Sequence, residues 1–465
     1  MSNTWQVVTL KDITDRIGDG LHGTPKYEDN GEYYFINGNN LKNGQIFIDE
    51  KTKRASKEEF EKHKKELSDR TVLLSINGTL GNVAFYNNEK VFLGKSACYL
   101  NLKNSVDKHF IRYTLESLKF QNYIHTLATG STIKNVSLKL VRDFQFELPS
   151  FETQVSISSY LRVIDEKFAV NTNINQTLEQ IAQAIFKSWF VDFEPTKAKI
   201  AAREALLAEN PDATPEHIAT AEQQAAIQAI AGAGDFIPTE QLQTIADLFP
   251  NHLENSELGE IPDGWEVSEI GNEVKVCGGG TPSTKNAEFW DKGNIAWTTP
   301  KDLSGNISKI LIDTDRKITE LGLKKISSGL LPVNTVLLSS RAPVGYLALA
   351  KIPLAVNQGY IAMVCDKNIT PEFVINWCDS VMDEIKQRAS GTTFSEISKK
   401  NFKLIKMTLP PKALCEIYSL ITQPLYNLIS SNETESEMLK SIRDSILPKL
   451  LNGEIGSSPM EMNCE

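Results

Sequence analysis

A chain of 465 residues, 41% hydrophobic and 23% charged, can bury several cores, so two or more domains are expected and pervasive disorder is excluded. A formal net charge of −10 argues against a free-standing nucleic-acid binder, because phosphate neutralisation needs a locally positive surface. The six cysteines form no CxxC pair and the six histidines offer no zinc-ligand spacing, so the thiols read as reduced and structural, with no metal site.

In chain order, the opening MSNTWQVVTLKDITDRIGDG is polar and mixed in charge. No apolar run approaches the length of a bilayer span, so a cytoplasmic protein with no membrane partner is expected. Residues 56–69, SKEEFEKHKKELSD, read as a helix, with Glu58/Lys62 and Glu61/Lys65 spaced for i,i+4 ion pairs. Its lysine run reads as a solvated face more readily than as a DNA patch. In RTVLLSINGTLGNVAFYNN (70–88), a β-branched apolar run, the Asn77-Gly78 turn signal and a second apolar run predict a hairpin.

After TGSTIKNVSLKLVRDFQFELP (129–149) the pattern becomes helical. Ile164, Phe168, Asn171, Asn175, Leu178, Ala182, Ile185 and Trp189 step by four and three, a heptad seam. About 38 such residues make a helix roughly 57 Å long at ~1.5 Å per residue. Residues 200–236 are an Ala/Gln-rich insert, helical with a Gly-rich break.

The second half repeats the first. SGTTFSEISKKNFKLIKMTLP (390–410) matches 129–149 without a gap at an offset of 261, and TVLLSSRAPVGYLA (335–348) matches TVLLSINGTLGNVA (71–84) at 264. HGTPK near Thr24 echoes GGTPSTK near Thr281, and Trp5-Gln6-Val7 corresponds to Trp265-Glu266-Val267. The second helix supplies Leu425, Ile429, Asn432, Ser436, Leu439, Arg443, Ile446 and Leu450 at the same steps. Asn171 and Asn432 take equivalent seam positions, where a buried Asn pair can fix register; both being exposed is the alternative. The fold class is therefore α+β: a tandem duplication of a mixed, β-rich domain followed by a long helix, the two helices forming an antiparallel coiled coil with approximate two-fold symmetry. Such a molecule carries two inverted, similar reading heads, which suits a bipartite, spaced DNA target.

LPSFETQVSISSYLRVIDEKFAVNTNINQTLEQIAQAIFKSWFVDFEPTKAK, then LFPNHLENSELGEIPDGWEV, and finally SIRDSILPKLLNGEI resemble the specificity subunit of type I restriction-modification enzymes over nearly the whole chain. The resemblance implies target-recognition domains at 1–148 and 261–409, coiled-coil helices at 149–194 and 410–455, an insert and linker at 195–260 that departs from the pattern, and a tail at 456–465. It implies a non-catalytic subunit that selects double-stranded DNA and recruits two modification (methyltransferase) subunits and, through them, the restriction (ATP-dependent translocase/nuclease) subunits. S-adenosylmethionine, ATP and Mg then belong to those partners, with no cofactor in this chain. An adaptor whose coiled coil joins two protein-binding domains is the alternative.

Side chains suited to base edges and phosphates mark the candidate loops. In the first domain they are Thr24, Lys26, Asn37, Asn39, Asn40, Asn77, Thr79, Lys95, Thr132 and Lys134; in the second, Thr281, Lys285, Thr298, Lys301, Arg341, Asn357, Gln358, Thr392 and Thr393. Phe186, Trp189 and Phe190 are large enough to anchor a partner interface, although an intramolecular core role suits Trp189 equally. Catalytic readings fare poorly. GGGTPSTK lacks P-loop spacing, Pro262-Asp263 with Glu273-Val274-Lys275 only superficially spells a metal-dependent nuclease pattern, and no [DNS]-P-P-aromatic run of adenine methyltransferases occurs.

Overall fold

The continuous apolar runs become the central strands. Thr71–Ser75 is buried at every position, and so is its counterpart Val336–Ser340. The computed structural model describes residues 5–130, 134–232, 237, 239–305, 308–391 and 395–455. It divides into two compact units, Met1–Phe168 with Met438–Glu465, and Ala169–Glu437.

In the first unit, Thr14–Asp19, Ala97–Leu102, Thr71–Ser75 and Val83–Phe85 lie in that order in one antiparallel sheet, and the predicted hairpin is its last pair. A second sheet sets Tyr33–Ile36 between Arg54–Ala55 and Val91–Leu93. Gln6–Thr9 pairs antiparallel with Gln145–Leu148, closing the domain just where the chain enters the helix Phe151–Phe190. Ile157 and Leu161 of that helix, with Leu447 and Leu450 of the C-terminal helix Lys412–Leu451, join the apolar core around Phe110, Phe120 and Phe146. Asp165 draws the polar seam together: Arg112 Nη2 lies 3.0 Å away, Tyr113 Oη donates at 2.9 Å, and Arg443 approaches to 3.8 Å.

The 56–69 helix is shorter than its charge spacing predicts. Ser56 caps Lys57–His63, and the chain then leaves helical geometry at Lys64. Glu59, rather than the i,i+4 acids, is the hub: it is buried, faces His63 at 3.3 Å and accepts from the Lys26 backbone at 3.2 Å. A tertiary anchor outweighs pairs worth only about 0.2–0.5 kcal/mol each.

The second unit repeats the plan. Glu266–Glu269 closes against Lys406–Leu409; a five-stranded sheet runs Lys275–Cys277, Tyr360–Val364, Val336–Ser340, Val344–Ala350, Ile310–Leu311; and Ile295–Thr298 lies between Arg316–Ile318 and Leu354–Val356. Both long helices contain 40 residues. Within this unit they run antiparallel, since Asn171 meets Ser436, Asn175 meets Asn432 and Ala182 meets Tyr418. Asn171 is wholly buried, and its Nδ2 donates to Glu435 Oε2 at 2.8 Å and to the Asn432 carbonyl at 3.4 Å. The side-chain amide pair is Asn432 with Asn175, at 2.8 Å, so the polar layer extends one turn beyond the expected Asn171/Asn432 pair.

The insert is a helical hairpin, Glu194–Glu209 and Pro215–Gly232, followed by the helix Thr239–Asp247. Lys199 holds it to the unit: its Nζ donates to the carbonyls of Ala246 at 2.7 Å and Phe249 at 2.6 Å, capping the end of the third helix. Burial lowers the Lys199 pKa, and Asp247 and Glu222 oppose that. Among the described residues no helix is long and apolar enough to cross a membrane.

Lys199→Met should strip the Phe249 carbonyl of its donor, leave the Ala246 carbonyl with only the Phe249 backbone N–H, and cost about 1–3 kcal/mol for the buried group left unsatisfied. A thermal melt within a degree of the parent's would show that water replaces the ammonium. Asn175→Leu with Asn432→Leu should raise the melting temperature yet admit alternative helix alignments, seen as extra cross-linked products between cysteines placed along the two helices. A single product would mean that these amides do not set the register.

Candidate nucleic-acid interface

Three chain segments of the first domain are braced into one loop cluster. Asn37 Oδ1 accepts from Ser96 Oγ at 2.8 Å, and Ser96 Oγ also accepts from the Gly38 backbone at 2.9 Å. The Ser96 carbonyl accepts from the Ile76 backbone at 3.0 Å, which ties the 94–96 loop to the hairpin tip at 77–79. Asn37, Asn39, Asn40, Asn77, Thr79 and Lys95 are thus brought together, and Lys134 joins them because the Gly78 backbone donates to its carbonyl at 3.1 Å. Asn37 and Asn40 are braces more than free readers: Asn40 Oδ1 accepts from the Asn37 backbone and its Nδ2 donates to the Phe47 carbonyl. Asn39, Thr79, Lys95 and Lys134 are exposed. Thr24 and Lys26 are exposed on a separate loop, anchored where Leu21 donates to the Leu93 carbonyl and Lys26 to Glu59.

In the second domain Thr281 Oγ1 donates to Gln358 Oε1 at 2.7 Å, linking two predicted loops. The Asn357 backbone donates to the Thr298 carbonyl at 3.0 Å, while its side chain turns back to the Gly359 backbone. Lys285 and Lys301 are exposed. Thr298 is a correction: it is 0% exposed, with its hydroxyl 3.1 Å from Tyr360 Oη, because its strand position points into the core. It cannot touch DNA. Thr132, Thr392 and Thr393 lie outside the described residues.

Of the GGGTPSTK glycines, Gly279 answers to packing. A Cβ on Gly279 would sit 1.7 Å from the Val356 carbonyl, and one on Gly20 would sit 2.0 Å from the matching Leu93 carbonyl. Only glycine lets the backbone pass so close.

The two hairpin tips share a set of backbone and serine hydrogen bonds. Ser75 Oγ donates to the Thr79 carbonyl and Ser339 Oγ to the Pro343 carbonyl. The Val136 backbone donates to Ile76 as Ile397 does to Ser340. The bridge Asn77–Asn135 recurs as Arg341–Glu396. At the next residue both chains are left-handed, Gly78 at φ 75° and Ala342 at 52°. Asn77 Nδ2 donates to Asn135 Oδ1 at 3.2 Å, while Arg341 Nη1 lies 3.9 Å from Glu396 Oε2. Asn135 and Glu396, which face the candidates Asn77 and Arg341, were not among the residues the sequence suggested. They occupy matching positions of the repeated stretches 129–149 and 390–410, where most residues differ, so the sequence did not single them out. In the second domain the Arg316 guanidinium stacks 3.5 Å over the Trp290 ring.

The partner-interface expectation for Phe186, Trp189 and Phe190 also needs correcting. Trp189 is 0% exposed and Phe186 and Phe190 are buried, packed on Phe249, Trp265, Phe373 and Tyr418 with ring centroids 5.0–6.3 Å apart. Their apolar area is already covered inside the unit, leaving little for a partner.

A duplicated β-rich domain that presents braced polar loops, each copy joined to a long helix, defines a two-headed recognition protein. The family model described as "Type I restriction modification DNA specificity domain" matches residues 2–180 and again 262–441, and the chain belongs to this family. It is 29% identical over 372 residues to the type I restriction enzyme HindI specificity subunit of Haemophilus influenzae, covering 76% of this chain and 78% of that one. The putative type I restriction enzyme MjaX specificity subunit of Methanocaldococcus jannaschii is 24% identical over 468 residues, covering 97% and 93%. The crystal structure of the type I restriction-modification system S subunit from M. genitalium shares the fold, with a TM-score of 0.51 at 18% identity over 97% of both chains.

Proposed function

We propose that this chain is the DNA-recognition subunit of a type I restriction-modification complex, in which the first domain reads one half of a bipartite target and the second domain the other. The observation that carries this reading is one braced loop frame built twice with different side chains at its tip, Asn77 and Asn135 in one domain, Arg341 and Glu396 in the other. Identical tips would suit identical half-sites; unlike tips suit unlike ones. A net charge of −10 fits a subunit that touches only part of the duplex while partners supply much of the phosphate neutralisation. The methyl transfer and the ATP-driven cleavage then belong to the modification and restriction subunits, with S-adenosylmethionine, ATP and Mg bound there.

Two modification subunits dock on the long helices, through exposed apolar side chains in place of the covered aromatics. In the second unit these are Val170, Ile174, Leu420 and Leu428, of which Leu420 is 70% exposed; in the first they are Phe151, Val155, Val163, Met438 and Ile442. Apolar side chains repeated along helix faces are an expected partner surface.

Base-resolution methylation mapping of DNA from cells expressing this chain with its modification subunit, against cells lacking this chain, should reveal a new adenine-methylated motif in two unlike parts with a fixed unspecific spacer. No new motif despite a stable complex would favour the adaptor reading. Leu420→Asp with Leu428→Asp should weaken co-purification of the modification subunit roughly tenfold or more, from ~1.5–3 kcal/mol per buried leucine, without lowering the chain's own melting temperature. Full recovery of the complex would move the docking surface elsewhere.

A further inference from the structure

We infer that Asn77 reads an adenine in the first half-site and Arg341 a guanine in the second, with Asn135 and Glu396 as their positioning residues. This rests on the DNA-recognition reading above and adds base identities to it. The two residues occupy one backbone position: each forms an isolated bridge to the residue that closes the domain's last loop, Asn77 to Asn135 and Arg341 to Glu396, and each of those residues pairs again with the start of that loop, at Thr129 and Ser390. The backbone hydrogen bonds Val136 to Ile76 and Ile397 to Ser340, at 2.8 and 3.0 Å, hold both tips against the central sheet. What differs is the chemistry offered at the tip.

Asn77 spends one Nδ2 proton on Asn135 Oδ1 at 3.2 Å. That contact orients the amide and leaves a second proton and the carbonyl oxygen, the donor and acceptor pair that matches adenine N7 and N6 in the major groove. Arg341 carries only donors. One Nη of its fork lies 3.9 Å from Glu396 Oε2, and with the side chain 38% exposed the remaining N–H groups are available to the two acceptors of guanine, O6 and N7. Glu396 on an exposed pair adds little stability. Its role is to aim the fork, as Asn135 aims the amide. Both tips are held by the same backbone bridge and hydrogen bond, so what differs between them is the side chain.

The test is selection of bound duplexes from a library with both half-sites randomised, using the full chain in complex with its modification subunit at one fixed salt concentration. Arg341→Ala should relax one guanine position by about five- to 150-fold, the equivalent of ~1–3 kcal/mol per bidentate contact, and leave the first half-site unchanged, which also certifies folding. Asn77→Ala should relax one adenine position in the other half. Arg341→Asn with Glu396→Asn rebuilds the first domain's amide pair and should convert that guanine preference to adenine. Should Arg341→Ala abolish selection at both half-sites, Arg341→Lys replaces it: charge is kept without the fork, and the guanine preference should fall about tenfold. Selection unchanged in these variants, relaxation at a position that is not guanine, or a uniform loss across all sequences as for a phosphate contact would overturn the assignment. A parent complex with no sequence preference at all would instead remove the DNA-recognition reading beneath it.

Discussion

Each domain begins and ends on the same short ladder. Gln6 faces Leu148 in one unit and Glu266 faces Leu409 in the other, and a proline follows each last strand before the helix begins. The pairing extends inward in the same way, with Leu10 donating to Phe144 and Ile270 to Ile405. A ladder of this kind pins both ends of a domain to the start of its helix, and proline stops the strand there without asking for a ladder hydrogen bond. Within a domain whose two ends are fixed in this way, hydrogen bonds brace loops 37–40, 94–96 and 77–79 into one cluster.

The recognition loops separate frame from reader. Serine hydroxyls, backbone amides and close-passing glycines do the bracing, and they recur in both copies: Ser75 with Ser339, Gly20 with Gly279. The side chains that project beyond the frame are free to differ, because an exposed substitution there costs little stability. This division also accounts for the candidates that proved internal. Asn37 and Asn40 fold back into a capping box, the arrangement that Thr299 and Asp302 make in the second domain, so their polarity serves the chain itself.

Along the helices the balance between polar and apolar layers changes with position. Near the end of the first helix, Phe186, Trp189 and Phe190 stack on Tyr418, Phe373 and Trp265, an area large enough to dominate the packing. Further along, Asn171, Asn175 and Asn432 occupy the seam with hydrogen-bonded amides. Apolar burial supplies adhesion and the amides supply alignment, since an Asn displaced by one heptad would meet an apolar side chain and lose its partner.

The duplication, the α+β class, the hairpin at 70–88 and both long helices were legible in the amino-acid sequence because they are written locally: a repeated string, alternation with an Asn-Gly turn, and spacings of four and three. The seam residues followed from the same arithmetic. What the sequence could not show was which polar side chain looks outward. Thr298 and Asn39 look alike as candidates, yet one is sealed beneath Tyr360 and the other exposed. Trp189 could anchor a partner or fill a core, and only the arrival of Phe249 and Tyr418 from distant parts of the chain decides for the core. Asn135 and Glu396 acquired meaning only when hairpin-tip residues more than fifty positions away in sequence, Asn77 and Arg341, bridged to them. Periodicity reports the local geometry of one segment; burial and pairing depend on which other segments come to lie against it, and that was decided by the tertiary structure.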